Sequence, residues 1–255
     1  MDAIKCAWVG VCGRWRGLAL GFALLLLCSK PALAQVAVDG TRVVFSGASP
    51  EVTVSVRNSS EAPVLVQAWI GEEDPKQLPE ASKAPFVVGP PLLRLDAGKD
   101  QKLRVRLIRD RAPDDEREHL YWLNLLAAPP QAAAPSEENL LQVAVRSRFK
   151  VLYRPSALAA KLPTDFSERM TFSVRRNGSG VELVIGNPTA YHLNLGRLAV
   201  VRDGRVFALE NPYVAPFSEK ALALPAEAGG AVAVEYAWLD DNGQLHSESR
   251  ILAPM

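Results

Sequence analysis

The sequence predicts an all-β chain of two antiparallel sandwich domains behind a short leader. Three observations carry this. Apolar residues recur at every second position in short runs, the period of a strand with one buried face. The runs are bounded by Gly, Pro, Asn or Asp. Three dipeptides, Asn177-Gly178, Asp203-Gly204 and Asn242-Gly243, sit between alternating runs and are strong hairpin signals. No window holds a helical period.

The first 34 residues read as a leader. Lys5, Arg14 and Arg16 form a basic start, Gly17 to Leu27 is an apolar core, and Ala32-Leu33-Ala34 is a small-residue site with cleavage expected after Ala34. The chain is therefore expected to be exported. The apolar core is too short for a stable span, and no later stretch reaches the roughly 18 apolar residues needed, so stable membrane insertion is not expected. Cys28 follows Leu27, whereas a lipid-modified cysteine normally follows a small residue. All three cysteines, Cys6, Cys12 and Cys28, lie in the leader, so residues 35–255 must hold together through apolar cores alone. Their length suits two domains of about 110 residues. Removing the leader takes the net charge from +1 to −2, with no footprint for nucleic acid.

Seven runs fill residues 35–153: VAVDGTRVVFSG (36–47), EVTVSVRN (51–58), PVLVQAWIG (63–71), FVVGPPLLRL (86–95), QKLRVRLI (101–108), HLYWLNLLA (119–127) and the stretch 139–153. Seven short strands in about 120 residues is the pattern of an immunoglobulin-like sandwich. Gly89-Pro90-Pro91 suits a strand that crosses between sheets, with room for a cis peptide. Residues 129–138 form a Pro/Ala loop leading into NLLQVAVRSRFKVLYRP (139–155). There Leu141, Val143 and Val145 share one face, while Arg146, Arg148 and Lys150 lie on the other. On composition this is either a core strand with a basic end or a strand offering its apolar row to another protein. Residues 154–158 read as a linker, and 159–255 as a second antiparallel domain with runs at 169–176, 181–189, 191–202, 205–210, 220–225, 231–241 and 244–252. The two halves do not align as a repeat.

Catalytic parts do not assemble. The three histidines, His119, His192 and His246, are scattered, and none lies beside a G-x-S-x-G elbow. Glu116-x-x-His119 has the spacing of a helical metal pair, but it occurs once and opens a strand. Asp240-Asp241-Asn242-Gly243 reads as a hairpin turn rather than a calcium loop. Asn58-Ser59-Ser60 and Asn177-Gly178-Ser179 have the form of glycosylation acceptors. No catalytic residue, metal or cofactor is expected.

Several segments together resemble the periplasmic pilus chaperones, the two-domain, boomerang-shaped assembly proteins of chaperone-usher pili. They are GTRVVF (40–45), QAWI (67–70), the GPP step with RLDAG (94–98), LYWLNL (120–125) with Pro129-Pro130, LLQVAVRSRFKVLYRP (140–155) and GNPTAYHL (186–193). The resemblance implies an L-shaped pair of sandwiches in the periplasm, without nucleotide. Its partners would be pilus (fimbrial) subunits and an outer-membrane usher. It implies that the strand within 139–155 is lent to a subunit's open groove, with Leu141, Val143 and Val145 as the inserted side chains. Burying three such side chains is worth roughly 5–8 kcal/mol before association costs.

The resemblance also implies that Arg42 and Lys150 hold the subunit's C-terminal carboxylate. It implies that Glu118, Arg154 and Asp241 form an ion network fixing the angle between domains. Lys150 has the opposite parity to Leu141, Val143 and Val145, so a bulge or strong twist near Ser147 is expected to bring both to one partner. The second domain lacks the disulfide of some members, and the modest loop before the strand resembles the short-loop members. Whether the free protein covers its strand by self-association is left open. The alternative is an exported β-sandwich adhesin or ligand-binding protein. A hydrolase has almost no residue support.

Overall fold

The computed structural model describes residues 36–130, 143–158, 161–178 and 180–253. Those residues form short strands and four 3-10 turns. In the first sandwich, β1 (Val36–Val38), β2 (Arg42–Ser46), β3 (Glu51–Asn58), β4 (Val64–Gly71), β5 (Phe86–Gly89), β6 (Leu92–Leu95), β7 (Asp100–Leu107), β8 (His119–Ala128) and β9 (Val145–Arg154) make two sheets. One has the order β1-β3-β7-β5 and the other β2-β9-β8-β4-β6. The alternation decides which residues face inward. On β7, Leu103 and Val105 are fully buried, while Lys102, Arg104 and Arg106 point to solvent. Phe45, Val56, Val66, Leu123 and Val151 meet them from the other strands to fill the core.

Two runs divide where the sequence reading kept one strand. Residues 36–47 break at Asp39-Gly40, where Gly40 has a φ of 94°, placing β1 and β2 in different sheets. The 86–95 run changes sheets at a cis Gly89–Pro90 bond, with β5 beside β7 and β6 beside β4.

The second sandwich contains β10 (Thr171–Asn177), β11 (Gly180–Asn187), β12 (Leu193–Arg202), β13 (Arg205–Ala208), β14 (Tyr213–Val214), β15 (Ser218–Ala223), β16 (Ala233–Leu239) and β17 (Leu245–Ile251). Its sheets run β10-β11-β15 and β13-β12-β16-β17, with β14 also on β12. Asp203 and Gly204 have φ values of 50° and 74°, the left-handed pair that a tight hairpin between β12 and β13 requires. Phe166, Leu183, Ile185, Leu193, Val200 and Val234 form its own apolar core.

One device recurs in both sandwiches, although the halves do not align in sequence. The buried Asn58 donates its amide to the Ala62 and Leu95 carbonyls at 2.8 and 3.0 Å, and accepts from the Ser60 N–H and hydroxyl. The buried Asn187 donates to the Tyr191, Val214 and Ala215 carbonyls, and accepts from the Thr189 N–H and hydroxyl. Each closes a turn after a strand by satisfying backbone carbonyls inside the fold. With its side-chain nitrogen so engaged, Asn58 is no glycan acceptor in the folded protein.

Candidate functional site

Arg42 and Lys150 are brought together by the closure of the first sandwich. β2 and β9 run parallel in register, Arg42 opposite Lys150 through Ser46 opposite Arg154. This is the one parallel pairing among the described strands, and it joins the two ends of the domain. Both side chains reach toward the second sandwich. Arg42 Nη1 donates to the Leu239 carbonyl at 3.3 Å, while its Nε is buried without a partner among the described residues. Lys150 Nζ donates to Asn194 Oδ1 at 2.6 Å and sits 4.8 Å above the Tyr213 ring.

Neither cation has a carboxylate within bonding distance among the described residues. Burial lowers the Lys150 pKa to about 8, and the neighbouring Arg42 charge adds to the effect. Burial also lowers that of Arg42, against the raising influence of Asp240, Asp241 and Glu118. Two desolvated cations with neutral partners make a place where an incoming anion gains charge-assisted bonds.

The apolar row of β9 runs outward from this pair. Phe149 packs against the first core, Val151 and Tyr153 lie within it, and Val145 and Val143 on the same parity are 45% and 56% exposed. Leu141 lies outside the described residues. From Val145 to Phe149, β9 pairs with β8 alone, so the described strands leave its other edge open. The bulge expected near Ser147 is absent. Pairing with β8 runs unbroken from Tyr153 opposite His119 to Val145 opposite Ala127, and Lys150 keeps the face opposite Val145. The two features are therefore offered on different faces of one regular strand.

Behind the pair, the structure brings Glu118, Arg154 and Asp241 together. Arg154, 1% exposed, donates Nε to Glu118 Oε2 at 2.7 Å. It also grips Asp241 with Nη1 and Nη2 at 2.9 and 2.6 Å. Glu118 Oε1 accepts from the His192 N–H at 2.9 Å and lies 2.9 Å from its ring Nδ1. Burial alone would lower the Arg154 pKa, but the bonds to Asp241 and the charge of Glu118 outweigh it and raise it. Asp240 is kept out of this network by its own turn, where it accepts the Asn242 and Gln244 N–H groups and faces His246. Glu116 and His119 do not act together, since His119 Nε2 lies 2.6 Å from Asp115 Oδ1.

Known proteins carry the same plan. The family model of the pili and flagellar-assembly chaperone N-terminal domain matches residues 35–159, and that of the pili assembly chaperone C-terminal domain matches 165–250. The chain belongs to the pilus assembly chaperones. The chaperone protein FimB/FhaD of Bordetella pertussis is 37% identical over 90% of this chain and 95% of its own. The crystal structure of the CupB2 chaperone of Pseudomonas aeruginosa superposes with a TM-score of 0.70 at 33% identity, covering 85% of this chain and 100% of that one. The SafB chaperone of Salmonella enterica, solved in complex with the SafA pilin, gives a TM-score of 0.70 at 29% identity over 88% of this chain and 99% of that one. The members of this family are chaperones and not enzymes.

Sequence reasoning passed over part of this chaperone's cleft. Asn194, Tyr213 and His192 come from the second sandwich and bear on Lys150 and Glu118. Trp69 and Trp122 lie beneath Arg146 and Arg148. The alternation of Arg146, Arg148 and Lys150 was the available signal, because basic residues on one strand face need something to lie against when the sheet is covered.

Proposed function

We propose that this chaperone works in the periplasm, capturing pilus subunits by donor-strand complementation and delivering them to an outer-membrane usher. The leader, removed after Ala34, would take it there. The observation that carries the reading is the Arg42–Lys150 pair at the foot of a strand whose apolar row leaves the sandwich with one edge open among the described strands. A subunit lacking its last strand would take β9 along that edge, with Leu141, Val143 and Val145 in its groove. Its C-terminal carboxylate would lie between Arg42 and Lys150, where charge-assisted bonds replace a neutral carbonyl and a neutral amide. Arg154, between Glu118 and Asp241, would hold the two sandwiches at a fixed angle, so that both walls of the cleft meet the subunit. The SafA–SafB complex supports the choice of a pilus subunit as partner.

Val143→Asp tests the reading. Val143 is exposed in the free protein, so the variant should melt near the wild-type temperature, while the charge cannot enter an apolar groove and subunit capture should be lost. Capture at wild-type yield would defeat the proposal.

A further inference from the structure

Among the described strands, Val145–Phe149 of β9 has β8 as its only neighbour. A strand with one open edge and an exposed apolar row frays at low cost. On its opposite face, cations lie over aromatic rings: the Arg146 guanidinium carbon 4.6 Å from the centre of the Trp69 ring, and that of Arg148 4.5 Å from the centre of Trp122. Trp69, from β4, is buried. Arg146 also donates Nε and Nη2 to Asn124 Oδ1 at 3.1 and 2.8 Å, and Nη2 to the Gln77 carbonyl at 2.9 Å. Arg148 Nη2 donates to the Glu72 and Glu73 carbonyls at 2.9 and 3.0 Å. Each arginine thus covers a ring and spans from β9 to the segment that follows β4. A planar fork can keep its face toward a ring while its N–H groups reach several acceptors at fixed angles, a geometry that a compact ammonium does not fix.

We propose that Arg146 and Arg148, over Trp69 and Trp122, are positioning residues that stand in for the second neighbour that no described strand gives Val145–Phe149. They keep this half of β9 extended before a subunit arrives. The ordering cost is then met during folding of the chaperone rather than at capture, which speeds association. The proposal rests on the donor-strand reading for its use, but the holding itself belongs to the free protein.

The test is the double variant Arg146→Lys/Arg148→Lys, which keeps both charges and loses both forks, with Arg148→Lys alone as the milder variant. Three quantities are measured: amide hydrogen exchange across β9 in the free chaperone, the association rate with a purified subunit, and the melting temperature. Exchange at Val145–Phe149 should quicken and association should slow, each by about tenfold in the double variant, with little change in melting temperature or dissociation rate. Wild-type exchange in both variants would overturn the proposal. So would faster exchange with an unchanged association rate, or a general loss of stability in both variants. Exchange needs no subunit, so failure of the donor-strand reading, seen as full capture by Val143→Asp, is distinguishable from failure of the clamp.

Discussion

Raising the pH from 7 to 9 should remove the Lys150 cation and weaken subunit capture in a calculable way. Burial, with Arg42 alongside, brings its pKa from 10.5 down to about 8. About nine in ten free molecules then carry the charge at pH 7 and about one in ten at pH 9. A carboxylate closing on Nζ favours the charged form, so binding above pH 8 must take up a proton. Affinity should therefore be nearly flat below pH 7 and fall about tenfold between pH 7 and 9. Folding carries the opposite sign. An unfolded lysine keeps its proton to about 10.5, so between pH 8 and 10.5 the unfolded chain binds more protons, and this group's contribution to stability rises with pH. Capture should weaken while the free chaperone gains. Titration calorimetry of a subunit against wild type and Lys150→Met, at pH 7, 8 and 9 in two buffers of different ionisation enthalpy, reads both affinity and proton uptake. A pH-independent wild-type affinity, or the same slope in Lys150→Met, would refute the reasoning.

Arg42→Ala should reduce capture by about ten- to a hundredfold, corresponding to the roughly 1.5–3 kcal/mol of a charge-assisted bond, and leave the melting temperature close to wild type; co-purification yields with subunits check this. Arg154→Ala strands Glu118 in a buried site and should cost about 3–5 kcal/mol, with a broadened solution scattering profile as the two sandwiches loosen; an unchanged profile would remove the hinge role. Asn58→Ala leaves the Ala62 and Leu95 carbonyls without their donor and should cost about 1–3 kcal/mol in denaturant unfolding, with no change in capture once folded.

Strands with one buried face were readable from period alone, as in β7, where Leu103 and Val105 alternate with charges. The split of 36–47 was passed over although it had a local signal: the inward parity changes from Val36 and Val38 to Val43 and Phe45 across Asp39-Gly40, where the backbone turn at Gly40 moves the chain to the other sheet. The hairpins at Asn177-Gly178, Asp203-Gly204 and Asn242-Gly243 were local and therefore visible. Pairings between distant strands were not. Arg42 beside Lys150 and Arg154 beside Asp241 came into view only through the family resemblance, because register between distant strands is a property of the whole fold. The parity of Lys150 was legible, and of the two devices expected near Ser147, a bulge or a strong twist, the bulge is absent. The pairing with β8 stays in register, and Asn194 and Tyr213 of the second sandwich meet Lys150 on the face opposite Val145. The Trp–Arg stacks draw on β4, β8 and β9 and have no local signature.

The parallel pairing of β2 with β9 bears on when the chaperone becomes competent. A hairpin forms from neighbours, but Arg42 and Lys150 meet only when β2, near the start of the sandwich, and β9, its last strand, lie side by side. Contacts of such sequence separation carry the greatest loop-closure cost and reward the chain only as the domain closes. A nascent chain lacking β9, or a fragment cut between β8 and β9, holds at most one of the two cations. The two-cation site thus exists only in a molecule whose own first sandwich is complete, and under the proposed function an unfinished copy would have no such site with which to seize a subunit and stall it.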